Sequence, residues 1–240
     1  MKAIICDVYR TVLDVREPPA NPEQLWGVLF QRVFGKGPAL TLEQLEFRCR
    51  HFVSEAHQEA RERGIGYPEV NWPSIMSRAL PGFSALPRAD ADAFLFDQAQ
   101  LFRSLRIMPG CATVLRECAA RGILLGIASN AQAYTLRELE LALNEAGLDS
   151  TVFQSDLTFW SFEHGFSKPD PYVFQILRAR LQDRRLSESE TLMVGDREDN
   201  DILPAQAAGW RTWLFSDTRK DREQGDWSTL ARALFESDEE

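Results

Sequence analysis

From Pro109-Gly110 onward the chain alternates short apolar runs with amphipathic segments closed by glycine. Residues 111–120 read as a helix ended by Gly122, and 123–128 as a strand that stops at Ser129-Asn130. Residues 132–146 form a helix before Gly147, 152–153 begin a short strand, and 171–182 form a helix behind Pro169 and Pro171. A further run, 191–194, ends at Gly195-Asp196, residues 201–208 are helical up to Gly209, and 212–215 are another strand. Short apolar runs bounded by turn residues mark strands buried on both faces, and helices between them make those strands parallel. The pattern predicts an α/β fold with a doubly wound parallel sheet, whose crevice lies at the carboxyl ends of the strands.

The beginning of the chain belongs to the same sheet. Residues 3–6 are an apolar strand that delivers Asp7, with Tyr9, Arg10 and Thr11 in the turn beyond it. Residues 14–21 carry Pro18 and Pro19 and read as a linker. The block 22–106 reads as helices without a convincing strand. Pro22 opens one helix, and Thr41 caps another with Gln44 at its third position. That second helix continues through Leu45, Cys49, Phe52, Val53 and Ala56 at helical period. Residues 67–73 are a loop, and a last helix spans 89–105. The division expected is a core of 1–14 and 107–240 with a helical insert at 15–106. The acidic tail 236–240 should fray.

Composition removes several classes of function. A formal net charge of −9 over 240 residues disfavours nucleic acid and anionic membranes as partners. No apolar run reaches the roughly 18 residues of a spanning helix. The strand starts too soon after Met1 for a signal peptide, so a cytoplasmic protein is expected. The four cysteines form no CxxC pair and the three histidines are scattered, so a zinc site is not expected. His164 lies just upstream of Lys168 and reads as a loop residue. Trp26, Trp72 and Phe83 line a pocket or, equally, fill the core of the insert. The aromatic loop 67–72, with Glu69, is a candidate for facing the crevice.

Four groups of polar residues fall at strand ends or just beyond. They are Asp7, Ser129-Asn130, Lys168 in Ser-Lys-Pro-Asp-Pro, and Asp196 with Asn200 and Asp201. Each alone is ordinary: a cap, a turn, a solvated lysine, an acidic helix start. Together they supply the parts of one reaction. Asp7 attacks and forms a covalent ester. Ser129 and backbone N–H groups donate to the transferred anionic group, while Lys168 neutralises charge. Asp7 and Asp196 offer hard oxygen ligands to Mg²⁺. Asp201 orients Lys168 or a metal-bound water. Thr11, Arg10 and Asn130 are further candidates for binding the substrate, and Asn200 supports the site from behind.

In this order the segments Asp7-Val-Tyr9-Arg10-Thr11, Ser129-Asn130, Lys168-Pro169 and Gly195-Asp196 through Asp201 resemble the four motifs of the haloacid dehalogenase-like hydrolases. The resemblance covers residues 1–16 and 107–218. It implies a Rossmann-like core and a helical cap inserted after the first motif. Most members are Mg²⁺-dependent phosphatases that form an aspartyl phosphate and carry a second Asp, a general acid, two residues after the first. Tyr9 stands there instead, and an unperturbed phenol titrates at about 10. The 2-haloacid dehalogenases also have Tyr at that place, since halide leaves without a proton. They differ from this chain in having Gly at Arg10, Ser at Asp196, Tyr at Phe174 and Asn at Glu198. Arg48 and Arg50 are the candidates for their halide-binding arginine. The resemblance thus implies Mg²⁺-dependent hydrolysis of a small phosphorylated metabolite, with the Tyr9 carbonyl as a third metal ligand. The alternatives are dehalogenation of a 2-haloacid, and a phospho-ligand binder that has lost turnover. The insert carries no substrate motif, and the oligomeric state is not legible.

Overall fold

The computed structural model describes residues 1–216 and 223–236. In chain order the strands are β1 (Ala3–Cys6), β2 (Leu13–Arg16), β3 (Ser104–Ile107), β4 (Leu124–Ser129), β5 (Thr158–Trp160), β6 (Thr191–Gly195), β7 (Arg211–Phe215) and β8 (Gln224–Gly225). The α-helices are α1 (Pro22–Phe34), α2 (Leu42–Glu62), α3 (Trp72–Ala79), α4 (Arg88–Ala99), α5 (Cys111–Ala120), α6 (Tyr134–Glu145), α7 (Ser161–His164), α8 (Pro171–Asp183), α9 (Leu203–Ala207) and α10 (Trp227–Phe235). None of these helices is long and apolar enough to cross a membrane.

Among the described residues, six strands form one sheet in the order β5-β4-β1-β6-β7-β8, and every pairing in it is parallel. This is the expected α/β, Rossmann-like core. All four residues of β1 are buried, because helices cover both of its faces. Ile4 and Cys6 face an apolar cluster shared with Val114 and Leu115 of α5, Leu139 of α6 and Leu230 of α10. Ala3 and Ile5 face the other way, onto Val173 and Leu177 of α8 and Ala205 of α9. Register then fixes the site. Cys6 lies opposite Ile127 on one side and Val194 on the other. Asp7, Ser129 and Gly195 therefore emerge together at one edge of the sheet.

The stretch between β2 and β3 is helical and builds its own apolar cluster, with Trp26, Leu45, Met76, Phe83 and Phe94 at its centre. Trp26 and Phe83 thus serve packing and line no crevice, and Trp26 donates to the Leu40 carbonyl at 2.8 Å. Thr41 and Gln44 form the expected capping box on α2.

Three expectations need correction. Residues 14–16, expected in the linker, belong to strand β2, which pairs antiparallel with β3; the helix expected to 105 ends at Ala99, and β3 starts at Ser104. Leu13-Asp-Val-Arg and Ser-Leu-Arg-Ile alternate apolar and polar residues, the period of a strand with one wet face, and the nearby prolines and charges hide it. The 152–153 strand is absent: Ser150–Val152 is a 3₁₀ turn capped by Asp149, and the strand comes later, as β5. The tail expected to fray lies outside the described residues beyond Glu236.

Gly126 lets β4 pass close to its neighbours. A Cβ there would stand 2.3 Å from the Leu157 carbonyl oxygen and 2.6 Å from Ile5 Cδ1. Gly126→Ala should lower the urea midpoint by the equivalent of about 1–3 kcal/mol through overpacking. An unchanged midpoint would contradict the packing described.

Candidate active site

Lys168 sits under the strand ends, 3% exposed, in the loop before α8. Its ammonium donates to Asp7 Oδ1 at 2.7 Å and to Asp201 Oδ1 at 2.5 Å. Asn130 fixes the lysine backbone: its Oδ1 accepts from Lys168 N at 2.7 Å and its Nδ2 donates to Lys168 O at 2.8 Å. Asp201 Oδ2 accepts from Arg197 N at 3.1 Å. That carboxylate fits because residue 195 is glycine, since a Cβ there would lie 2.4 Å from Asp201 Cγ. Among the described residues, Asp7 Oδ2 makes no hydrogen bond.

Thr11, in the loop after Asp7, and Ser129, the last residue of β4, are fully buried. Among the described residues their hydroxyl oxygens have no hydrogen-bond partner. Buried hydroxyls without partners are costly, and they mark where a bound group would complete the bonding. Thr11 is held from behind, because its carbonyl accepts from Trp227 Nε1 of α10 at 2.8 Å. Asp7, Asn130, Lys168 and Asp201 line a cavity of about 300 Å³ together with Asp196, Asn200 and Arg10. That volume suits a small metabolite. Arg10 holds a left-handed backbone at φ 59°, uncommon for a side chain of this size. The structure therefore brings Asp7, Tyr9, Arg10, Asn130, Lys168, Asp196, Asn200 and Asp201 to one cavity, with the Tyr9 phenol turned aside, while Thr11 and Ser129 are fully buried and are not among its lining.

Oxygens of Asp7, Asp196 and Asp201 lie within 4.8 Å of one another. Burial raises the Asp7 pKa above the ordinary carboxylate range; Lys168 opposes the rise and Asp201 adds to it. Burial also raises Asp196, with Asp201 adding and Lys168 and Arg10 opposing. Burial disfavours the Lys168 cation, but Asp7 and Asp201 outweigh it and hold its pKa above the usual value. Carboxylates that repel one another and offer only oxygen donors fit a hard divalent cation such as Mg²⁺.

The Tyr9 hydroxyl donates to Glu138 Oε2 at 2.5 Å, accepts from Arg103 Nη2 at 2.9 Å, and bonds Thr135 Oγ1 at 2.6 Å. Arg103 also grips both Glu138 oxygens, at 2.8 and 2.9 Å, and its guanidinium lies 4.6 Å from the Tyr9 ring centre. Gln100 adds a bond to Glu138 at 2.7 Å. Burial lifts the phenol pKa well above its usual value, with Arg103 opposing. Sequence reasoning missed Arg103 and Glu138. The available signal was Glu138 itself, an acid in the buried stripe Thr135, Leu139, Ala142, Leu143 of α6.

Other candidates lie elsewhere. Arg50 pairs with Glu46 along α2, and Arg48 reaches toward the Arg78 carbonyl, so neither lines the cavity. Arg103 is the arginine that does so from beyond the helices. His164 stacks on Phe159 at 4.4 Å. Phe174 packs edge-on against Trp210 in the core. The 67–72 loop docks beside the site without lining it. Glu69 accepts from Ser161 Oγ at 2.6 Å and Gln132 Nε2 at 2.7 Å, and the Tyr67 carbonyl accepts from Ser167 N at 2.9 Å.

Residues 1–209 match the family model for the haloacid dehalogenase-like hydrolases. The chain belongs to that family. A ribulose-1,5-bisphosphate 5-phosphatase of Halopiger xanaduensis is 31% identical over 147 residues, 60% of this chain and 57% of that protein. The match thus spans less than two thirds of the relative's length. Among solved structures, a 2-haloacid dehalogenase from Pseudomonas syringae pv. Tomato DC3000 superposes with a TM-score of 0.58 at 20% identity, covering 98% of each chain. A phosphatase of the same family from Thermococcus onnurineus gives 0.55 at 20% identity, covering 98% of this hydrolase and 97% of its own chain. These likenesses show the fold.

The Arg103–Glu138 pair allows a stability test. Glu138 is nearly inaccessible, with a side chain 1% exposed. Arg103→Met strands a buried carboxylate and should cost about 3 kcal/mol or more. The double variant Arg103→Met/Glu138→Met should cost less than the sum of the two single changes. Urea unfolding of the four proteins measures the coupling, and additive effects would refute it.

Proposed function

We propose that this hydrolase cleaves the phosphate ester of a small anionic metabolite in the cytoplasm, with Asp7 as the nucleophile. One observation carries the reading: the lysine-bound carboxylate of Asp7 faces the Asp196 carboxylate at one cavity. Asp7 Oδ2 attacks phosphorus while Lys168 holds Oδ1 and offsets its charge. Ser129, Thr11 and nearby backbone N–H groups donate to the phosphoryl oxygens, with Asn130 keeping the lysine loop in register. Asp201 keeps the ammonium aimed at Asp7, and Asn200 supports the same loop. Water then cleaves the aspartyl phosphate. Asp7, Asp196 and the Tyr9 carbonyl would hold Mg²⁺, which when bound neutralises charge on the phosphoryl group. The helices between β2 and β3 act as a cap, residues 15–106, over a core of 1–14 and 107–240. Arg10 and Arg103 favour an anionic substrate.

Dehalogenation of a 2-haloacid is the second reading, because Tyr9 offers no free acid and halide needs none. Asp196, a carboxylate facing the nucleophile, favours phosphate and its metal over it.

In Mg²⁺ the protein should release phosphate from 4-nitrophenyl phosphate over many turnovers. Asp7→Asn should lower kcat on the order of 10⁴-fold or more. Inactivity of the wild type across a broad panel of phosphate compounds, with halide release from 2-chloropropionate in chelator, would replace this reading by the second. Trapping of phospho-Asp7 without turnover would instead indicate a binding protein.

Mg²⁺ should also raise the thermal midpoint, by about 2.7 kcal/mol of stabilisation at a hundredfold excess over Kd, and Asp196→Asn should abolish the rise. An equal rise in the variant would move the metal elsewhere.

A further inference from the structure

The residue beside the nucleophile limits which leaving groups can be expelled. A tyrosine hydroxyl has one hydrogen to give and can accept two. At Tyr9 the hydrogen goes to Glu138 Oε2, because a carboxylate accepts. Arg103 Nη2 donates to one side of the oxygen. With the phenol hydrogen committed, the Thr135 hydroxyl at 2.6 Å donates to the other. Both partners on α6 are buried, Thr135 at 0% and Glu138 at 3% exposure. The hydrogen therefore points into α6 and away from Asp7.

No other side chain on the cavity takes over the task. Asp7 is the attacking group. Asp201 is bonded through both oxygens, to Lys168 and to the backbone of Arg197. Asp196 stands among the carboxylates that fit the cation. The Lys168 ammonium is held by Asp7 and Asp201, and Arg10, Arg103, Arg197, Asn130, Asn200 and Val15 line the rest; the arginines and amides stabilise an anion but do not give up a proton.

We infer that this hydrolase acts on phosphate compounds whose leaving group departs as a stable anion (acyl, enol or aryl phosphates) and discriminates against simple alkyl phosphates. The inference rests on the phosphoryl-transfer reading above. Asp7 Oδ2 forms its bond to phosphorus as the bond from phosphorus to the leaving oxygen breaks. The leaving group keeps the electron pair and departs as carboxylate, enolate or phenolate, with Arg103 and Arg10 on its path. Water next attacks the phosphorus of phospho-Asp7, releasing inorganic phosphate, the free carboxylate and one proton to solvent. An alkyl group would have to leave as alkoxide. A positioned acid contributes about 10²–10⁴ in rate, and alkyl esters forgo that contribution here.

The test is a leaving-group series on the wild-type protein in Mg²⁺: acetyl phosphate, 4-nitrophenyl phosphate, phenyl phosphate and ethyl phosphate. The value of kcat/KM should fall by at least about 10²-fold from 4-nitrophenyl to ethyl phosphate. Tyr9→Phe should leave the ratios between esters as they are, whatever it does to the absolute rates. Tyr9→Asp, which puts an acid at this place, should compress the series toward equality. If Tyr9→Asp does not fold, the wild-type and Tyr9→Phe series decide without it. Wild-type values within about tenfold across the series overturn the inference while leaving phosphoryl transfer intact. A selective loss of ethyl phosphate hydrolysis in Tyr9→Phe overturns it too, since the hydroxyl would then be the donor. Phosphate release from none of the four compounds defeats phosphoryl transfer itself.

Discussion

One buried ammonium holds this site together. Lys168 binds Asp7 and Asp201 at once, in a place where charges are costly unless paired. Asp196 stands nearby, so three carboxylates gather about this one ammonium. Burial first, and repulsion from Asp201 after it, raise the pKa of both Asp7 and Asp196, with Lys168 opposing. On the proposed reading, a divalent cation would relieve the repulsion and a phosphoryl group would meet the lysine.

Everything else keeps that lysine and its partners in place. The parallel register brings Asp7, Ser129 and Gly195 to one edge. Asn130 holds the lysine backbone by two hydrogen bonds, so the strand that carries Ser129 also sets the reach of Lys168. Gly195 leaves the space that the Asp201 carboxylate fills. None of these supports touches the cavity through a reactive atom, yet each fixes where a reactive atom lies.

The sheet and the polar groups at its edge were legible in the sequence because buried parallel strands are unbroken apolar runs and their loops carry the chemistry. Residues 3–6, 123–128 and 191–194 stand out for that reason. Strands β2 and β3 were not legible, because a two-stranded ribbon with Asp14, Arg16, Ser104 and Arg106 on its wet face buries too little to leave a clear apolar signal. The network around Tyr9 was invisible for another reason. Glu138 lies 129 positions from Tyr9, and Arg103 sits in a stretch that reads as the end of a helix. Only tertiary packing brings them together. That network changes the meaning of Tyr9: the sequence marks a missing acid, and the structure adds that the phenol is committed elsewhere.

Trp227 ties α10 to the loop after Asp7. It lies beyond the 209 residues that match the family model, yet its indole donates to the carbonyl of Thr11 in that loop. Gly110 keeps the space against its side chain, 3.2 Å from where a Cβ would stand, and Phe215 packs on its ring. The loop after Asp7 is thus braced by a residue 216 positions away in the sequence. A chain made from its amino end has the Asp7, Lys168 and Asp201 cluster once residue 201 is made, but the indole bond to Thr11 only once residue 227 follows.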